Sequence, residues 1–568
     1  MFVDSGDTED QFACGIALHN AWRLNRESCL SQSAPTAKVL NGSYSGVYSD
    51  VYDQDFFLGI PFAQPPAGDL RFRQAQSLNT SFSETRNATA YSPECIGYGS
   101  DDWVLGNDVS EDCLTLNVIR PSGAANLPVG VWIYGGGNTE GGNSDPRYNL
   151  SFIVQQSVYA RSQFIGVSIN YRVQAWGFLF GQEVMDAGSA NMGVRDQRLA
   201  LQWIQENIAA FGGDPTKVTI WGESAGASGV GMQLIAYGGR DDKLFRGAIA
   251  ESGGPTGSSK YLSPAQWQPY YDKITNATNC SSVADSLDCL RKLPTDVLSN
   301  VLNSSVTTGA SWGPQIDGDF LQESGTTQVL TGKFVKVPFL TGRNHDEGTS
   351  FATKGINTTD EFLADVMSAG PDNATGLTIA ALYPDIPSIG IPGTLAGRPP
   401  PSQASLGAQW KRASSYTGDL RQHAPRRLVT QSWAAHNITA YSYLFNVFTN
   451  GFDATIGVTH FTEVSFVFNN IYGNGYNNSV ASDPFENKPE TYMQVAKMMS
   501  RMWASFIVDL NPNNAGYGCI EWPKYTLDDP RNIVFDANVT GLAYIDPDIY
   551  RAEGIAYIQS HLNTTYGR

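Results

Sequence analysis

Residues 217–229 read KVTIWGESAGASG, a β-branched run that stops at a glycine-flanked serine and resumes as a stretch of small residues. A serine between Gly222 and Gly226 sits on a strained strand-to-helix turn, because both glycines remove a Cβ that would otherwise clash. Such a turn leaves the Ser224 hydroxyl exposed at a helix N-terminus and commits the surrounding chain to a strand–turn–helix layer. A chance Gly-x-Ser-x-Gly in a loose turn would lack the preceding strand and the following helix.

The rest of the 568 residues repeats that alternation. Short apolar or β-branched runs at 127–134, 164–171, 217–221, 247–250, 337–341 and 440–447 are bounded by glycine or polar clusters and read as buried strands. Between them, 195–211 carries Ala200, Ile204 and Ile208 on one helical face, extended by Leu199 and Trp203. A second helix over 493–508 bears a methionine stripe beside Trp503 and Phe506, which reads as adaptable core packing. Alternating strands and helices predict an α/β fold, with a mainly parallel sheet covered on both faces and ligand groups at the carboxyl ends of the strands. No repeat or long linker divides 34–568, which reads as a single domain with large insertions. Residues 1–33 carry early acids and no clean apolar core, so they read as an N-terminal extension or altered leader.

Composition narrows the partners. With 41% hydrophobic residues the chain has material for a large core. A formal charge of −18 repels phosphate backbones, which argues against nucleic acid. No apolar run is long enough for a transmembrane helix. Asn-x-Ser/Thr sequons recur at thirteen positions, from Asn41 to Asn563, an excess that predicts a secreted, extracellular glycoprotein.

A serine nucleophile needs a base for its proton and donors for the oxyanion that forms on the carbonyl. Gly135, Gly136 and Gly137 directly follow the strand that ends at Tyr134, and only glycine lets backbone N–H groups approach a substrate oxygen so closely. Gly136, Gly137 and the N–H of Ala225 are therefore the expected oxyanion hole. The base is one of six histidines, at positions 19, 345, 423, 436, 460 and 561.

Several ordered motifs resemble the type-B carboxylesterase/lipase family of α/β-hydrolases, which includes cholinesterases and fungal lipases. They are FLGIPFAQPPAGDLRF from Phe57, SEDCLTLNV from Ser110, WIYGGG from Trp132, SINYRVQAWGFL from Ser168, FGGDPTKVTIWGESAG from Phe211 and HDEGTSF from His345. The resemblance implies Glu347 as the acid, with Asp346 its competitor. It also implies His460 as the base, since GVTHFTEVSFVF matches the family's histidine followed three positions later by an acid, here Glu463. A carboxylate in a turn after strand 337–341 lies on the serine's edge of the sheet, and the order Ser, acid, His is the order this fold uses. His423, His436 and His561 read as surface side chains.

The resemblance further implies Glu223 and Ser252 as supporting residues beside the triad, ion pairs Arg71–Glu111 and Arg172–Asp196, and disulfides Cys95–Cys113 and Cys280–Cys289. The expected reaction is hydrolysis of a small-molecule ester through an acyl-enzyme, with no metal and no cofactor. Asn138 and Phe461 depart from the family's usual Phe and Gly, so pocket shape does not transfer. The Cys95–Cys113 loop is short and polar, which favours an esterase with an open gorge; an interfacial lipase or sterol esterase is the alternative. Trp103 resembles the tryptophan that cholinesterases turn toward cationic ligands, although a lone Trp is more often packing. The pairing of Cys14, Cys29 and Cys519 and the oligomeric state are not readable.

Overall fold

A computed structural model describes residues 34–99, 107–257, 259–476, 482–516 and 520–568. The N-terminal 33 residues, Trp103 and Cys519 lie outside these ranges, as do the expectations that fell on them.

Eleven strands form the central sheet among the described residues: β1 Val47–Ser49, β2 Gln54–Pro61, β3 Thr115–Pro121, β4 Leu127–Ile133, β5 Ile165–Ile169, β6 Gly213–Glu223, β7 Gly247–Glu251, β8 Phe339–Asn344, β9 Ala440–Phe445, β10 Arg531–Phe535 and β11 Ala543–Pro547. Their spatial order is β11-β10-β9-β8-β7-β6-β4-β5-β3-β2-β1. The strands from β5 through β10 in space run parallel, and antiparallel strands finish both edges. This is the α/β-hydrolase arrangement.

The interior strands are apolar on both faces because both are covered: every residue of β5 and β7 is buried. Helices α1 (Met192–Asn207) and α2 (Ala225–Gly239) pack together, with α2 lying on β4, β6 and β7. Helix α3 (Trp410–Gly418) packs on the turn that follows β8. Helix α4 (Glu490–Asp509) lies on β4 and β6 beside the helix Leu150–Tyr159. Met498, Met499 and Met502 of α4 are buried in the main core, as its methionine stripe predicted.

All six expected strands are present. The sequence reading missed β1, β2, β3, β10 and β11, and it started α1 three residues late. Near the ends of β4 and β6, Trp132, Trp221 and Phe468 form a ring cluster with centroids 4.7–4.8 Å apart. Such pairs each contribute roughly 0.5–1.5 kcal/mol beyond their buried area, and this layer stiffens the ends of β4 and β6 from which the site is built.

The two expected disulfides are formed, Cys95–Cys113 and Cys280–Cys289. Both expected ion pairs are buried. Arg71 grips Glu111 in a two-pronged contact at 2.6 and 2.7 Å, and Arg172 grips Asp196 at 2.7 Å through both prongs. No helix among the described residues is long and apolar enough to cross a membrane.

Candidate active site

Strand β6 ends at Glu223, and helix α2 begins at Ala225, so Ser224 alone makes the turn. Its φ of 55° and ψ of −121° place a side-chain-bearing residue in sparsely populated backbone space, a strain that only surrounding structure maintains. Gly222 and Gly226 allow it. A Cβ on Gly222 would stand 2.6 Å from the Ile133 carbonyl oxygen. Ser224 N donates to the Glu251 carbonyl at 2.9 Å, tying the elbow to the neighbouring β7.

The glycine run after β4 lies against this elbow. A Cβ on Gly135 would come within 3.0 Å of Ser224 Cβ, while Gly136 and Gly137 adopt φ of 85° and 64°, left-handed conformations suited to glycine. Ala225 is the first residue of α2, where an N–H has no acceptor inside the helix. Gly135 thus brings the glycine run against the elbow, with Ala225 next to Ser224 on its other side. The Cys95–Cys113 loop rests on the same segment, with Tyr98 N donating to Thr139 O at 2.8 Å.

His460 comes from the loop after β9, and Glu347 from the turn after β8. His460 Nε2 lies 2.8 Å from Ser224 Oγ, and His460 Nδ1 lies 2.7 Å from Glu347 Oε2. Ser224 and His460 are partly exposed, whereas Glu347 is fully buried. Phe351 stacks edge-on against the imidazole at 4.8 Å and restricts its rotation. Asp346, the competing acid, faces elsewhere: it accepts from His345 Nδ1, Gly393 N and Val458 N.

Glu347 is held by more than the histidine. Ser252 Oγ donates to its Oε1, and the Asn344 N–H reaches the same oxygen at 3.0 Å. Burial works against its charge, but the charge of His460 and these hydrogen bonds outweigh that effect and keep its pKa below the usual carboxylate value.

Three further glutamates are buried around this line. Glu223 brings Oε1 to 3.3 Å from His460 Nε2. Glu463 accepts from Ser252 Oγ at 3.2 Å and from Asn344 Nδ2 at 2.5 Å. Glu251 accepts the indole N–H of both Trp221 and Trp503 at 2.6 Å. Burial raises the pKa of all three above the ordinary carboxylate value. For His460, burial favours the neutral ring, but the charges of Glu223, Glu347 and Glu463 win and push it up to about 9. The sequence reading named Glu223 and Ser252. It missed Glu251 and the buried contacts of Glu463, because a lone acid beside a familiar motif carries no mark of its depth.

One histidine expectation fails. His423 is buried, not at the surface, on a short π-helical turn, Asp419–His423. Its buried position and the nearby charges of Arg551, Arg426 and Arg343 hold it neutral. The turn packs against α3 and the C-terminal helix Ala552–His561, a cover that the arginine-rich text around His423 did not reveal. His436 is exposed and His561 half-buried. Among the described residues, no group of three or more His, Cys, Asp or Glu side chains is placed to hold a metal ion.

A serine on a strained turn at the edge of a mainly parallel sheet, backed by a histidine and a buried carboxylate, defines the serine hydrolases of the α/β-hydrolase fold. A sequence model of the carboxylesterase family matches residues 33–545, and the chain belongs to that family. It is 34% identical to Lipase 4 of Diutina rugosa over 92% of this chain and 95% of that one. It is also 34% identical to mouse cholinesterase, over 83% of this chain and 77% of that one. The crystal structure of Aspergillus niger EstA superimposes with a TM-score of 0.79 at 28% identity, covering 94% of this chain and 99% of that one. The protein is a carboxylic-ester hydrolase.

Proposed function

We propose that the enzyme hydrolyses small or soluble esters through a Ser224–His460–Glu347 triad. The supporting observation is the unbroken hydrogen-bonded line from the half-exposed Ser224 to the buried Glu347. His460 takes the Ser224 proton as Oγ attacks the ester carbonyl, and Glu347 fixes the imidazole tautomer and stabilises the imidazolium. Gly136, Gly137 and Ala225 offer N–H groups to the oxyanion, in a setting where donors need no reorganisation. His460 then protonates the departing alcohol. Water attacks the acyl-Ser224 by the same route, returning the carboxylic acid and free enzyme.

Chromogenic esters of graded acyl length, assayed with and without emulsified triglyceride, test the substrate class. A short-chain optimum, with no jump in rate at the solubility limit, fits a gorge that is always open. The second reading, an interfacial lipase, is favoured by relatives named as lipases, including the secreted triacylglycerol lipase of Gibberella zeae at 33% identity. Preference for the emulsion would select it.

Export fits the same picture. Two relatives are named as secreted, two disulfides close short loops, and sequon asparagines such as Asn79, Asn357 and Asn437 are exposed. Residues 34–568 act as one catalytic unit in this reading, since the central sheet draws on strands from Val47 to Pro547.

A further inference from the structure

A cavity of about 100 Å³ opens where α3 meets the segment 382–390 and Tyr550, and none of the triad residues lines it. Its rim is apolar. Ile386 and Ile389 are about half exposed, at 49% and 52%, and Tyr550 is 47% exposed. Its wall includes Lys411, Arg412 and Arg551.

The cations in this wall are unusually placed. Lys411 and Arg412 are both buried, yet among the described residues neither has a carboxylate at ion-pair distance. Lys411 Nζ donates to the Leu395 carbonyl at 2.6 Å. Arg412 donates to the carbonyls of Tyr383 and Ala380 and to Thr359 Oγ1 and Gln409 Oε1, all uncharged. Arg551 is neutralised by Asp419 at 2.6 Å, but its Nη1 is buried with no hydrogen-bond partner. Asp385, the acid of the wall, is taken by Arg398 at 2.8 Å. The wall therefore keeps two cations without a contact ion pair, acted on by Asp346 and Asp385 only from a distance, and an orphaned guanidinium donor, in a chain whose formal charge is −18.

Buried charges without a counter-charge are costly unless something supplies one. A ligand that satisfies this wall and rim together has an anionic, hydrogen-bond-accepting head and an apolar tail. A planar carboxylate matches the guanidinium geometry, and it is the group that ester hydrolysis releases.

We propose that this cavity is a second binding site, taking the carboxylate of a free fatty acid between Lys411, Arg412 and Arg551 and its chain along Ile386 and Ile389. The carboxylic-ester hydrolase activity makes that ligand a product of the enzyme. The site does not depend on which residue is the nucleophile.

Sodium decanoate is titrated calorimetrically into the full chain carrying Ser224→Ala, and into the same chain with Ile389→Glu added. Ile389 is exposed, so the added carboxylate repels the ligand without disturbing the core. The site predicts saturable binding of decanoate that weakens at least about tenfold with Ile389→Glu, and binding of 1-decanol weaker by a similar factor. Hydrolysis of a short soluble ester by the single variant Ile389→Glu stays within about twofold of the native rate. Decanoate binding that ignores Ile389→Glu, equal binding of decanol, or no saturable binding would each overturn the proposal. Retained hydrolysis by Ser224→Ala would instead overturn the triad and leave this site standing.

Discussion

A Cβ placed on Gly226 would stand 2.0 Å from the carbonyl oxygen of Ile133, closer than real Cβ atoms come to backbone. The first turn of α2 is therefore pressed directly onto the end of β4, and that contact sets the height of Ser224 above the sheet. Gly226→Ala forces one of two backbones to move. The expected result is a loss of stability of about 1–3 kcal/mol, typical of overpacking, with a fall in kcat well beyond the fall in folded fraction. Thermal unfolding beside kcat on a soluble ester checks it. An unchanged kcat would mean that the elbow tolerates displacement.

Ser224→Ala and His460→Ala should each lower kcat by about 10⁴ to 10⁶, and the double variant by little more, because residues that act as one unit lose their contribution together. Single-turnover and steady-state rates on one ester give the three values. Multiplying losses would separate the two side chains mechanistically.

The pH profile follows from the glutamates around His460. The ring acts as a base only when neutral, and its pKa is pushed up to about 9, so kcat/KM should climb through the alkaline range, above the ordinary imidazole value of about 6.5. Glu463 bears part of that shift, and its own pKa is raised to about 7, so it is charged where His460 titrates. Glu463→Gln removes a negative charge and should move the ascending limb to lower pH. A limb that stays in place or moves upward would exclude this electrostatic role.

Stability at acid pH has a separate anchor. Asp548 is buried beneath Arg426, Arg427 and Tyr525, accepting at 2.5, 2.8 and 2.9 Å from the two arginines and at 2.8 Å from the tyrosine. Burial alone would raise its pKa, but the arginines hold it well below the carboxylate range. A depressed folded pKa stabilises the protein above the unfolded value of about 3.9, and that contribution is lost as pH falls further. Asp548→Asn should cost about 3–5 kcal/mol near neutrality, since it strands buried guanidinium groups. The gap to the native protein should narrow below about pH 4. Urea unfolding at both pH values measures it, and a pH-independent gap would contradict the ion-pair account.

The elbow was legible because its constraint is local: two glycines, a strand and a helix lie within thirteen residues, and each is required by sterics at Ser224. The interior strands were legible because burial on both faces leaves continuous apolar runs. Strands β2 and β3 pair antiparallel near the sheet edge, and the apolar run of β2 is interrupted by Gly59 and Pro61 where its register shifts between Phe57 and Ile60, so it lacks the β-branched signature of the interior strands. His460 and Glu347 lie 113 residues apart in sequence, and family resemblance singles them out; the local text adds only that Glu347 sits in a turn after a strand on the serine's edge of the sheet. The buried glutamates were hidden for a further reason. Glu251 is an ordinary strand residue until Trp221 and Trp503 arrive from two other elements to donate to it.

The central claim is that Ser224 is the nucleophile activated by His460. Incubation with a phosphonate ester that traps serine hydrolases, followed by peptide mapping, tests it most directly. The account predicts one adduct per chain, on the peptide carrying Ser224, appearing in step with the loss of ester hydrolysis and forming far more slowly with His460→Ala. Inactivation with the adduct on another residue, or undiminished hydrolysis after Ser224 is fully modified, would contradict it.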